Sequence, residues 1–211
     1  MFDRRGLPAR FVQLLCGLIL YGIAVGMMVR ADLGLDPWSV LAQGLATRIG
    51  LSFGMTSIVI GFAVLLIWVP LRERPGIGTV VNIVLIGLVS DATLAVLSAP
   101  SGYLARFGLL GAGILLNGVA TGAYIGAKLG VGPRDGLMMG INRITGLPVK
   151  HVRMAIEVTV LTSGWLLGGT VGIGTAVYAV TIGWLVHYSL VTFTPPKPNT
   201  LRVPAEEKKL L

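Results

Sequence analysis

Shifted by 96 positions, this chain falls onto itself. Leu33-Gly34-x-x-Pro37 returns as Leu129-Gly130-x-x-Pro133, and 129 − 33 = 96. With no gap, the same offset pairs Ala9-Arg10-Phe11 with Ala105-Arg106-Phe107, and Gly76-Ile77-Gly78-Thr79 with Gly172-Ile173-Gly174-Thr175. Between them, Gly17, Gly22, Ala24 and Gly26 match Gly113, Gly118, Ala120 and Gly122. The offset holds from residue 9 to residue 94, which defines two copies of one unit over about residues 7–97 and 103–193, joined by an outer linker at 98–102. Whatever one copy folds into, the other is expected to fold into as well.

What each copy folds into follows from its solvent. Hydrophobic residues make up 54% of the chain and charged residues 12%, with a mean hydropathy of +0.83. A soluble domain carries about 25% charged residues. A hydrocarbon core of about 30 Å asks for roughly 20 apolar residues per helix. Residues 11–29, 53–71, 77–97, 107–125, 152–167 and 173–193 come near that length. The pattern predicts an all-α membrane protein with six transmembrane helices, three in each copy. An odd number of spans makes the second copy enter from the opposite side, as two inverted-topology repeats. The first run follows Arg4, Arg5 and Arg10 as a signal peptide would, but it is too long for one, and no small-x-small cleavage site follows it at 27–32. Cys16 is the sole cysteine, which leaves no intrachain disulfide and no multi-cysteine metal site. Neither a metal nor a cofactor is expected.

The net charge of +8 points to the membrane and not to nucleic acid, because of where the charges stand. With a cytoplasmic N-terminus, 14 of the 17 Lys and Arg residues fall on the inside, and only Arg30, Arg48 and Arg106 fall outside. This is the positive-inside bias. Both termini are then cytoplasmic: a short lead at 1–6 and a disordered tail at 194–211, rich in Pro and Lys.

Each copy also holds a short piece after its first span, over 36–49 and 133–145. Fourteen residues at 1.5 Å rise reach about 21 Å, too short to cross. Asp36 suits an N-cap and Pro37 the first helical position, and Gly50 ends the piece; Gly132-Pro133 and Gly146 do the same in the second copy. Each is either a re-entrant half-membrane helix or an amphipathic helix on the interface, with Trp38 as an aromatic anchor. The first turn is mixed in charge (Arg30, Asp32, Asp36, Arg48) and the second basic (Lys128, Arg134, Arg143, Lys150, Arg153, with Asp135). Backbone-shaping residues are kept because the copies fold alike, and charges differ because the turns meet opposite sides. Gly17, Gly22 and Gly26, with Gly113, Gly118, Gly122 and Gly126, form small-xxx-small faces. These are expected to pack the first span on the fourth, with homodimerisation through the same faces as the competing use.

Polar residues inside the spans are few, and an ionised one costs about 2.5–3.5 kcal/mol at the bilayer centre. Tyr21 and Asn117 are equivalent under the offset and fall mid-span, where transporters place their sites, or where a helix–helix hydrogen bond would sit. Pro37, Trp38, Ser39, Pro133, Arg134 and Asp135, at the starts of the short helices, would line the approach to them. Asp91 and His187, again equivalent, are gate or proton-linked candidates, or else solvated helix ends. Glu157 stands one turn from Arg153, a spacing that favours a neutralised pair. Asn82 and Tyr178 are weaker candidates of the same kind.

No motif recommends an enzyme: there is no H-E-x-x-H, no G-x-S-x-G and no carboxylate cluster. The doubled turn, L-G-L-D-P-W and L-G-V-G-P-R-D, with G-I-G-T opening the third and sixth spans, resembles the YczE/YyaS/YitT family over residues 7–193. The resemblance implies a multi-pass protein of the bacterial plasma membrane and carries no substrate or binding residue with it. Helix N-termini attract anions, so the expected function is transport of a small anionic or zwitterionic solute. The alternatives are an accessory protein that docks a partner on Lys128–Arg153, or a channel.

Overall fold

The computed structural model describes residues 6–194; the N-terminal lead at 1–5 and the tail at 195–211 lie outside the described residues. Eight helices follow in order: α1 (Leu7–Ala31), α2 (Pro37–Ile49), α3 (Phe53–Leu71), α4 (Ile77–Val96), α5 (Tyr103–Gly126), α6 (Pro133–Thr145), α7 (Val149–Leu166) and α8 (Ile173–Phe193). No strand occurs among the described residues. The starts of α5 to α8 each lie 96 positions after those of α1 to α4. Five helices are long and apolar enough to cross a membrane: α1, α3, α4, α5 and α8. The sixth expected span differs. α7 is 18 residues long, but Lys150, Arg153 and Glu157 in its first half lower its apolar character.

The centre of the fold is the pair α1 and α5, which share the most extensive interface. The two run antiparallel, as their contacts show from both ends. A Cβ on Gly17 would lie 2.8 Å from the Tyr124 backbone nitrogen, and one on Gly113 would lie 2.9 Å from Met28 Cγ. Arg10, near the start of α1, donates to the carbonyls of Ala127 (2.9 Å) and Lys128 (2.7 Å) at the end of α5. Its equivalent Arg106 pairs with Asp32 just past the end of α1, at 3.5 Å. These cations sit where C-terminal carbonyls leave negative charge unsatisfied.

The glycine stripes do not all serve that one contact, as the sequence had suggested. Gly22 and Gly26 face Val89 and Thr93 of α4, while Gly118 and Gly122 face Leu185 and Ser189 of α8. Gly17 and Gly113 face across the α1–α5 pair, and Gly126 meets Gln13 of α1 as well as Phe193 of α8. A stripe repeating every four residues drifts around the helix, so successive glycines meet successive neighbours. With no hydrophobic drive between helices in lipid, such close approach supplies the packing energy.

The two conserved-offset turns explain each other. Gly34 and Gly130 adopt φ of 113° and 152°, backbone that side chains disfavour. That turn lets the Leu33 carbonyl accept from Gly174 N (2.7 Å) and the Leu129 carbonyl accept from Gly78 N (3.1 Å). Each copy's L-G turn therefore seats on the other copy's G-I-G-T helix start. Thr79 Oγ1 adds a bond to the Val131 carbonyl at 2.8 Å.

The short helices behave as their ends suggest. Asp36 caps α2, its carboxylate accepting from Ser39 N at 3.3 Å, and Gly50 closes it at φ 71°. Gly132 and Gly146 bound α6 likewise, the latter at φ 68°. α2 packs on α7 and α3, and α6 on α3 and α7. The equivalent contacts use opposite sizes. On α6, Gly136 receives the indole of Trp68; on α2, the backbone of Val40 and Leu41 lies against Gly164 of α7.

Candidate functional site

Two cavities open on either side of the N-terminal ends of α2 and α6. The smaller, of about 110 Å³, is bordered by α1, α2, α3 and α4; the larger, of about 220 Å³, lies among α5, α6, α7 and α8. They are equivalent under the offset. Ser57, Gly61, Asn82 and Ile86 line the first; 96 positions on, Arg153, Glu157, Tyr178 and Ile182 line the second. Trp38, Tyr124 and Arg134 border both. One difference separates them. α3 packs along α4, whereas α7 and α8 share at most a marginal contact.

Between the cavities stands a group of buried aromatic and amide side chains. Arg134 projects from the first turn of α6 and donates to the Tyr21 hydroxyl at 2.7 Å. Its guanidinium carbon lies 5.9 Å from the Tyr21 ring centroid. Tyr124 meets Tyr21 edge-on, with centroids 6.1 Å apart. Tyr178 donates to Asn117 Oδ1 at 3.1 Å. Asn117 is wholly buried, and its Nδ2 makes no well-formed hydrogen bond, with the Tyr21 hydroxyl beside it. An unmade bond of this kind costs about 1–3 kcal/mol. A guanidinium stays charged under all ordinary conditions. Yet the ion pairs among the described residues are Arg106–Asp32, Arg143–Glu73 and Arg153–Glu157, and Arg134 is in none of them.

The candidates named from sequence fall into three groups. Tyr21, Ser39 and Pro133 line the smaller cavity, Pro37 and Asp135 the larger, and Trp38 and Arg134 both. Asn117 lines neither, but holds Tyr178, which does. Glu157 borders the larger cavity and forms the expected pair with Arg153, at 2.9 Å. Asp91 and His187 lie away from both. The Asp91 carboxylate accepts from Ser52 Oγ and from Gly54 N (2.7 Å), tying the start of α3 to α4. His187 is exposed and stacks edge-on against Tyr188. Asp91→Ala is expected to lower stability by about 1–3 kcal/mol by orphaning those donors, seen as a lower Tm in detergent, with solute binding unchanged. A loss of binding at full stability would return Asp91 to the site.

Sequence reasoning had not assigned Asp36 or Tyr124 to the site. Asp36 is 2% exposed and lines the smaller cavity beside Ser39. Its fitness as an N-cap accounts for it so fully that nothing in the sequence asks for a second role. Tyr124 carries no such signal; its equivalent under the offset is Met28.

The helices and their buried polar centre are those of an integral membrane protein. The chain belongs to the Family of unknown function (DUF6198), which it matches over residues 8–190, and the YczE/YyaS/YitT resemblance holds. A Haemophilus influenzae relative, named "Uncharacterized protein", is 42% identical over 177 residues, covering 84% of this chain and 81% of its own. The Bacillus subtilis "Uncharacterized membrane protein YczE" is 36% identical over 190 residues, 89% of this chain and 88% of its own. "Uncharacterized protein YyaS" of the same organism is 24% identical over 175 residues, 81% and 87% of the two chains. No solved structure matches the chain.

Proposed function

We propose that the protein is a small secondary transporter or exporter, moving an anionic or zwitterionic solute by alternating access of two inverted repeats. The observation that carries this reading is the pair of equivalent cavities sharing Trp38 and Arg134, one beside helices that pack along each other and the other beside helices that do not. The antiparallel α1–α5 pair supports the inversion, since equivalent helices in inverted copies run in opposite senses. In this reading α7 is the sixth span: 18 residues reach about 27 Å, and the Arg153–Glu157 pair neutralises charge near its cytoplasmic end. α2 and α6 are re-entrant, both termini are cytoplasmic, the site is in the plasma membrane, and the protein is not an enzyme and needs no cofactor. The solute's anionic group binds Arg134, whose remaining donors suit a carboxylate or similar oxyanion.

Exchange of the two cavities needs α7 to close on α8 as α3 does on α4. Gly87 of α4 receives α3 closely, a Cβ there falling 2.5 Å from Ile58 Cγ1. Gly183 of α8 is its equivalent and faces open space, with nothing within 4 Å. Met154 is the equivalent of Ile58. In a Cys16→Ser background, Met154→Cys with Gly183→Cys is expected to crosslink in native membranes with a short bifunctional thiol reagent. No crosslinking under any solute condition, while each single variant folds and labels, overturns the exchange.

The accessory reading has weaker support. Of the basic segment that would dock a partner, Arg134 bonds Tyr21, Arg143 pairs with Glu73 at 3.1 Å and bonds the Leu71 carbonyl, and Arg153 pairs with Glu157. Those charges are engaged within the chain.

A further inference from the structure

We infer that the solute is a zwitterion whose carboxylate binds Arg134 and whose ammonium binds Asp36; this rests on the transport-site reading above. Both residues line the smaller cavity, Asp36 almost fully buried and Arg134 partly so. Neither is in an ion pair among the described residues, with each other or with any third group. The Asp36 carboxylate accepts from Ser39 N at 3.3 Å, and the Arg134 guanidinium donates to the Tyr21 hydroxyl at 2.7 Å, with the Tyr124 hydroxyl also within its reach. A carboxylate and a guanidinium that border one small cavity in a membrane protein ordinarily close on each other, because isolated buried charges are costly. Here both border one cavity of about 110 Å³ without forming a pair.

The complement of that arrangement is a molecule with both charges, in the reverse order. A simple anion satisfies Arg134 and brings its charge towards Asp36, which repels it. A simple cation has the converse problem at Arg134. A zwitterion neutralises both, and charges on the wrong ends are rejected at the same time.

The geometry also supplies a clean variant. Asparagine caps a helix as well as aspartate does, so Asp36→Asn removes the charge and keeps the start of α2. The probes are ω-amino acids of increasing length, from glycine to 5-aminovalerate, together with α-amino acids of small side chain. Each is compared with its deaminated acid, its decarboxylated amine and the equimolar mixture of the two, by calorimetry on the full chain in detergent. At least one zwitterion is expected to bind the unmodified protein about tenfold or more tighter than its acid or amine, a difference of about 1.4 kcal/mol. Asp36→Asn should bring that zwitterion and its acid to within about threefold of each other, chiefly by weakening the zwitterion. Equal binding of acid and zwitterion to the unmodified protein overturns the inference and leaves an anion site at Arg134 standing. So does an unchanged ratio in Asp36→Asn, or binding of the acid–amine mixture that equals the zwitterion. Binding of no acid and no zwitterion of the series to folded protein overturns the transport site as well.

Discussion

Replacing Arg134 by glutamine is expected to weaken solute binding about a hundredfold or more, because it removes a charge-assisted contact worth about 1.5–3 kcal/mol and strands the solute's own charge in a buried site. Tyr21 loses its donor in the same step, since Arg134, which borders both cavities, bonds its hydroxyl at 2.7 Å. Arg134→Lys keeps the charge but not the fork of donors, so it should recover part of the affinity only. The control is Arg143→Gln. That side chain is about half exposed and pairs with Glu73 away from either cavity. Surface pairs contribute about 0–1 kcal/mol, so binding should stand and the Tm should barely move. Thermal stabilisation by small carboxylates and amino acids reads both variants in one plate. Equal stabilisation of Arg134→Gln and the unmodified protein would remove Arg134 from the site and with it the solute class.

The second large effect is structural. Gly136→Val is expected to destabilise the fold by about 3 kcal/mol or more, at the top of the range for overpacking. A Cβ at Gly136 would fall 2.0 Å from Trp68 Cζ2. That indole cannot swing away cheaply: it is 1% exposed, and its Nε1 donates to the Pro133 carbonyl at 3.0 Å. Valine is what the other copy carries at the equivalent place, Val40, where the facing residue is Gly164. Trp68→Gly alone leaves a cavity and costs about 3–5 kcal/mol, by analogy with large aromatic truncations. The double variant, which reproduces the Val40–Gly164 arrangement, is expected to cost clearly less than the two singles together. Such non-additivity is the signature of direct contact. Additive losses within about 0.5 kcal/mol would mean that the two residues do not share the space. Gly183→Ala, in open surroundings, is the matched neutral substitution.

These two sites also show what a reader of the sequence can and cannot see. Arg134 was legible from its place just after a glycine-proline turn, though the other cations of that basic turn, Lys128, Arg143, Lys150 and Arg153, kept it from standing out. The ends of the short helices were legible in Asp36, Pro37, Gly50, Pro133 and Gly146, since caps and turns are local chemistry. The glycine stripes were visible, but their partners were not. Which neighbour Gly22 or Gly118 meets depends on helix rotation, which the four-residue period leaves undetermined. Trp68 opposite Gly136 is beyond any local pattern, because 68 residues separate them. Asp36 was hidden by its own adequacy as a cap. The unequal packing of α3–α4 and α7–α8 was hidden for the opposite reason. The offset that makes the copies alike conceals where they depart, and the departures at Lys150 and Met154, where the first copy has Gly54 and Ile58, become meaningful only once Gly183 is seen facing an open gap.

The crossed seating of the L-G turns bears on how this chain is made. Leu33 emerges from the ribosome with no partner for its carbonyl, because Gly174 follows it by 141 residues (174 − 33 = 141). At about 5–20 residues per second, that wait is roughly 7 to 28 seconds. Throughout it, a bent, polar stretch of backbone at 32–36 must be kept from lipid by the insertion machinery. The second turn has no such wait, since its seat at Gly78 is already synthesised when Leu129 appears. The first half is thus born with a vacant place and an unseated turn, and translation of the second half supplies the partner for both.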